Sequence, residues 1–356
     1  MKQCKYLLVI ICLLTGPVWM YSQNVTLTLE RTIESPRKYI PGADDKAGYW
    51  KDYGTTQALD VHPGKDLFAV LLKETNGPTR LYLYKISTGQ EAGNIIVTTK
   101  INTDCKSLKF SPDGNYIAIA MEREKQIAIW NVSPLSLRDK KATDADASTV
   151  DWHSNGTKLA IVAGKKVEIW TIDPFQREKF INASRSATEW PGVATWSPGG
   201  DYLAIGTNNP AVYIDKNGRQ NGMISTKGSV HVAEWNAGGS MIASVGFGSN
   251  GNINVWKDPK MAVDSPYQTK YQLLKTISST PSTWWTRLNW DPSGRVIAYG
   301  DNQKNLFFLN PVSGQLIKTM QPTNSNTNHL CWKGNYVVTV GSYPDKKFKI
   351  WRATVN

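Results

Sequence analysis

From about residue 55 onward, apolar and polar positions alternate in short runs separated by turn residues. Val167-Glu168-Ile169-Trp170 and Ile127-Ala128-Ile129-Trp130 are typical runs, rich in β-branched and aromatic side chains. Such period-two runs mark half-buried strands, and no segment sustains apolar residues at helical spacing. Between runs stand Pro112-Asp113-Gly114, Pro198-Gly199-Gly200 and Pro292-Ser293-Gly294. Pro presets the backbone angle early in a tight turn and Gly accepts positive φ, so these sites predict hairpins.

The hairpins recur. An anchor residue is followed by a turn, an apolar-Ala-apolar triplet, and a strand ending in an aromatic or large apolar residue. The anchors are Val61, Phe110, Trp152, Trp196, Trp235, Trp290 and Trp332, seven copies spaced by about 45 residues. Eight residues after the first six stand Ala69, Ala118, Ala160, Ala204, Ala243 and Ala298; the seventh copy shortens its turn and has Val338. The closing positions are Tyr84, Trp130, Trp170, Ile214, Trp256, Leu309 and Trp351. Three strands per copy, with room for a fourth, predict an all-β ring of four-stranded sheets.

Phe110-Ser111-Pro112-Asp113-Gly114 with Ile127-Ala128-Ile129-Trp130, and Trp196-Ser197-Pro198-Gly199-Gly200, resemble WD40 repeats, and the resemblance spans about residues 55 to 352. The copies are degenerate. None opens with Gly-His, and the closing Trp residues are followed by Asn131, Thr171, Lys257 and Arg352 rather than Asp. The resemblance implies a single seven-bladed β-propeller. The last copy has room for only three strands, and closed β architectures avoid a bare edge. Val25-Thr26-Leu27-Thr28-Leu29 alternates and has no blade of its own, so residues 23–36 are expected to supply the outer strand of the last blade, with 37–54 as the loop into the first.

The amino terminus changes the compartment. Lys2 and Lys5 precede a short apolar run, Tyr6 to Leu14, then Gly16-Pro17 and a polar continuation. This reads as a secretory signal peptide over residues 1–22, too short for the roughly 20 apolar residues of a membrane span. The protein is expected to be exported, to the periplasm or medium of a bacterium or through a eukaryotic secretory pathway. The 41 Lys and Arg and 29 Asp and Glu give +12; loss of Lys2 and Lys5 leaves +10. The lysines are scattered rather than gathered in a patch, which argues against nucleic acid. Loss of Cys4 and Cys12 leaves Cys105 and Cys331, in copies separated by the first; the reach of a disulfide disfavours pairing them, so both are expected as free thiols.

No metal or nucleotide signature is present, and no cofactor is implied. The four histidines, His62, His153, His231 and His329, lack ligand-like spacing. The residues just before the anchors, Asp60, Lys109, Asp151, Thr195, Glu234, Asn289 and Cys331, should face the central channel. Asp60, Asp151 and Glu234 could hold a cation or serve acid/base chemistry, but such residues more often bond neighbouring strands and water. The anchor tryptophans read as core. Aromatics outside the repeat carry more information: Trp190, Trp284 and Trp285 with Arg287 precede anchors by three to six residues, and Trp50 and Tyr53 lie with Tyr39 and Tyr49 on the loop into the first blade. All should converge on one face of the disc. Loops on a rigid scaffold commonly bind partners, and exposed Trp, Tyr and Arg make anchors there; the competing reading is that they plug the channel. Lys257 to Tyr271 reads as a solvated insertion.

These features favour a non-enzymatic scaffold for a protein or peptide. A glycan-binding module is the alternative, and a propeller hydrolase or lactonase with a channel metal a third. The sequence leaves the oligomeric state open.

Overall fold

A computed structural model of the 356-residue chain describes all residues except 1–22, 41–48, 53, 75–76, 102, 184–185, 187, 209–210, 217–218, 226–228, 248–251, 260–271, 278–287, 302, 325–326 and 342–346. Among the described residues every regular element is a strand. Seven four-stranded antiparallel sheets form the blades of a propeller. Their innermost strands are Thr55–Val61, Ser107–Phe110, Ala147–Trp152, Pro191–Trp196, Ser229–Trp235, Leu288–Trp290 and Thr327–Lys333, and we number blades 1 to 7 in that order. We call the side on which these strands begin the upper face, and the side on which they end the lower face.

The expected ring closure is borne out. The last blade is built from Thr327–Lys333, Tyr336–Gly341, Phe348–Val355 and, outermost, Val25–Ile33. Val25 pairs with Val355 and Ile33 with Phe348, with a bulge between Leu29 and Arg31. Val25 is buried in the core shared by blades 6 and 7. Residues leading into blade 1 include a separate two-stranded sheet, Arg37–Ile40 with Tyr49–Asp52.

The anchors, triplets and closing residues fill the wedges between blades. Phe110, Ile117 and Trp130 pack against Leu71 and Leu81 of blade 1. Phe68 and Tyr84 of blade 1 meet Val338, Phe348 and Ile350 of blade 7 and complete the circle. Full burial of a side chain such as Phe68 or Phe348 contributes about 2–3 kcal/mol. The triplet alanines are small because each sits where neighbouring sheets come together; Ala69, Ala118, Ala160, Ala204, Ala243 and Ala298 are all inaccessible.

A second periodic contact is less visible in the sequence. The residue after an anchor leans on the turn glycine of the next blade: His62 on Gly114, His153 on Gly200 and Asn236 on Gly294. Gly114 has φ +74°, and a Cβ there would lie 2.2 Å from the His62 ring. His62 Nδ1 accepts the Gly64 and Lys65 N–H groups, so its proton sits on Nε2, which donates to the Gly114 carbonyl at 3.1 Å. Burial holds its imidazole below the usual value, consistent with that neutral tautomer.

Candidate functional site

The residues preceding the anchors do converge on the axis. Asp60, Lys109, Asp151, Thr195, Glu234, Asn289 and Cys331 line both an upper funnel of about 140 Å³ and a lower one of about 320 Å³. They form the collar between the two. Strand alternation puts them there, because each neighbours an anchor that faces the wedge between blades.

Much of the collar is occupied by bonds around the ring. Asp60 accepts the Phe110 N–H of the next blade at 2.9 Å, Asp151 the Trp196 N–H at 2.8 Å, and Asn289 the Trp332 N–H at 3.1 Å. Running the other way, the indole N–H of Trp152 donates to the Lys109 carbonyl at 3.0 Å, that of Trp235 to Thr195 at 3.2 Å, and that of Trp290 to Glu234 at 2.9 Å. Trp152, Trp235 and Trp290 therefore serve as core and as interblade staples.

The charges differ across the collar. Burial works against ionised Asp60, but Lys333, Lys109, the Phe110 N–H and the Cys331 thiol together hold its carboxyl below the usual range. Lys333 Nζ lies 3.2 Å from Asp60, and Cys331 Sγ donates to it at 3.3 Å. Asp151 and Glu234 are pushed up by burial, only partly offset by Lys109 and by their bonds to Trp196 and Thr195, or to Asn289. Burial disfavours the Lys109 ammonium, yet Asp60, Glu234 and Asp151 raise it further than burial lowers it. Both cysteines are free and buried, and burial pushes each thiol up to about 12. His231 and His329 line the upper funnel, with His329 Nε2 3.0 Å from the Thr56 carbonyl. Among the described residues no group of three or more His, Cys, Asp or Glu has the geometry to hold a metal.

On the upper face, Trp190 is the off-repeat aromatic whose surroundings are described. It is 49% exposed on a firmly held backbone. Asn208 Oδ1 accepts the Trp190 N–H, the Asn208 N–H donates to the Trp190 carbonyl at 3.0 Å, and Asn208 Nδ2 donates to the Thr188 carbonyl at 2.9 Å. Beside it, buried Glu189 accepts the Thr207 hydroxyl at 3.0 Å. Lys165 Nζ stands 4.7 Å from the indole centroid. The backbone of Trp50 pairs with that of Tyr39 in the two-stranded sheet. Tyr53, Trp284, Trp285 and Arg287 lie outside the described residues, as does most of the Lys257 to Tyr271 insertion.

Solved structures share this arrangement. The β-propeller domain of Cps50 (Swd1) from Myceliophteria thermophila superposes with a TM-score of 0.74 over 92% of this chain and 100% of that one, at 14% identity. A chain of the mitotic checkpoint complex gives 0.71 over 99% and 98%, at 16%. The chain folds as a WD40-type β-propeller. At these identities the likeness is one of fold. A coronin-like protein of Saccharomyces cerevisiae (strain ATCC 204508 / S288c) is 26% identical over 151 residues, which are 40% of this chain and 20% of that protein. No family model matches the chain. Among the described residues, no helix is long and apolar enough to cross a membrane.

Three features escaped the sequence reading. Lys333 reaches the collar from the lower face, Lys165 covers Trp190 from a neighbouring blade, and Phe180 is exposed. The first two depend on which blades are adjacent. Phe180 had a signal, as an aromatic directly before the apolar Ile181 in the strand Phe175–Asn182, where alternation turns one of the two outward.

Proposed function

We propose that the protein is an exported, non-enzymatic scaffold that holds a protein or peptide partner on its upper face. The observation that carries this reading is Trp190, a half-exposed indole on a backbone fixed by Asn208. An anchor already held in place loses little freedom on binding, so more of its contact energy appears as affinity. WD40 propellers generally mediate protein interactions, which supports the scaffold role by analogy of fold. The collar favours the same class: its side chains are largely engaged in holding blades together. Export rests on residues 1–22.

The test is capture of partners by immobilised protein lacking residues 1–22, from the envelope fraction and medium of the source cells. A partner retained by this form and lost with Trp190→Ala, at unchanged melting temperature, is the expected result. Retention by the variant removes this face. A protein that stays in the cytoplasm on fractionation overturns export, and a sugar ligand on a glycan array without any captured protein replaces the scaffold with the glycan reading.

A further inference from the structure

The carboxylates of the lower funnel are unevenly met by the protein. Both oxygens of Asp60 are engaged: Oδ1 by the Val61 N–H and the Cys331 thiol, Oδ2 by the Phe110 N–H and Lys333. Asp151 and Glu234 differ. The Thr195 hydroxyl and the Trp196 N–H both donate to Asp151 Oδ2, at 3.0 and 2.8 Å, and Asn289 Nδ2 donates to Glu234 Oε1 at 2.7 Å. Among the described residues nothing donates to Asp151 Oδ1 or Glu234 Oε2, and both stand open to the funnel. Lys109 forms no close ion pair with either and acts on them from farther off.

The charges are uneven as well. The lower funnel is lined by Asp60, Asp151, Glu234 and Asp291 against Lys109 and Lys333. Asp291 is spent on its own turn, accepting the Ser293, Arg295 and Val296 N–H groups, and Lys333 is spent on Asp60. Asp151 and Glu234 are left to share the single ammonium of Lys109. The upper funnel adds Lys106, which Glu122 meets at 2.7 Å, and His231 and His329, of a side chain that is mostly neutral above pH 7. One negative charge therefore goes unanswered at the axis. Burial pushes both carboxyls up, so solvent meets that charge poorly.

We propose that the lower funnel binds an aliphatic ammonium group, either of a small free amine or of a partner's lysine side chain. Its N–H groups donate to Asp151 Oδ1 and Glu234 Oε2, and its chain leaves past Pro198, Ala237 and Pro292, which are exposed at the mouth. The funnel's volume of about 320 Å³ suits a ligand of that size. An ammonium takes one acceptor per N–H and so fits single oxygens on separate blades, whereas among the described residues no group has the geometry for a metal. The site lies on the face opposite Trp190 and does not rest on the upper-face reading.

The test titrates n-butylamine into the protein lacking residues 1–22 at about pH 8, where imidazoles are neutral, followed by saturation-transfer NMR with n-butanol as the uncharged control. Saturable binding of the amine alone is expected. Glu234→Gln and Asp151→Asn should each weaken it by about tenfold or more, because each removes a charged acceptor. Lys109→Met should tighten it, because a competing ammonium is gone. Ala237→Trp narrows the mouth without touching the collar and should block binding at an unchanged melting temperature. Absence of amine binding, equal binding of butanol, or binding indifferent to Asp151 and Glu234 or to Ala237→Trp overturns the site. A terminally blocked Gly-Lys-Gly peptide that binds more tightly than butylamine assigns the ammonium to a partner's side chain; one that binds less tightly assigns it to a free amine.

Discussion

The indole nitrogen of Trp152, in blade 3, donates to the carbonyl oxygen of Lys109, in blade 2, at 3.0 Å. This bond ties a core side chain of one blade to the channel strand of its neighbour. Trp152→Phe keeps most of the buried ring and removes the donor, leaving a carbonyl without its partner. The expected loss is about 1–2 kcal/mol, read as a lower midpoint in denaturant with the slope unchanged. A midpoint equal to the parent's would mean that the staple contributes nothing.

Two turn glycines separate conformational strain from collision. Gly114 and Gly156 have nearly equal φ, +74° and +73°. A Cβ on Gly156 would meet only Pro112 Cδ at 3.8 Å, whereas one on Gly114 would strike the His62 ring at 2.2 Å. Gly156→Ala should cost about 1 kcal/mol, the penalty for a left-handed backbone. Gly114→Ala should cost clearly more and displace His62 from the Gly114 carbonyl, visible in the imidazole NMR signals. Equal losses would contradict the packing of the two turns.

The collar carboxyls should respond to acid with opposite signs. Glu234 has its folded value raised, so ionising it penalises the fold above that value, and the penalty fades as pH falls toward the unfolded value near 4. Glu234→Gln should therefore melt above the parent at neutral pH and converge with it below about pH 4. Asp60 has its folded value lowered, so its contribution is present above the unfolded value and is lost as pH falls through the folded one. Asp60→Asn should cost about 2–3 kcal/mol at neutral pH, with the deficit shrinking in strong acid. Melting curves across the range check both, and parallel profiles would refute the assignment.

Removal of residues 23–35 strips the outer strand from blade 7 and uncovers the edge of Phe348–Val355. It also removes the Gln23 contact to Asn310 and the ion pairs of Glu30 with Arg352 and Glu34 with Lys347. The shortened chain should melt well below the parent and aggregate through the bare edge, monitored by calorimetry and light scattering. An unchanged melting temperature would show that this strand is dispensable.

The ring was legible because its signals are local and repeated. Pro and Gly at the turns, the anchor aromatics and the triplet alanines each answer to a constraint within one blade. Closure could be inferred too, since Val25–Leu29 had strand character without a sheet. The collar positions followed from alternation alone. Which collar groups are held charged did not follow, because Lys333, at the end of the innermost strand of blade 7, reaches Asp60 across the junction with blade 1. The cover of Lys165 over Trp190 was hidden for a similar reason: it joins the crown of blade 3 to the start of blade 4.

The pairing of Val25–Ile33 with Phe348–Val355 also orders events during biosynthesis. The strand that leaves the ribosome among the earliest must wait for one synthesised more than 300 residues later. Six blades can be assembled from neighbouring segments while this strand remains without its partner. The last step is a long-range capture, slow by its nature and exposed to misassembly until it is made.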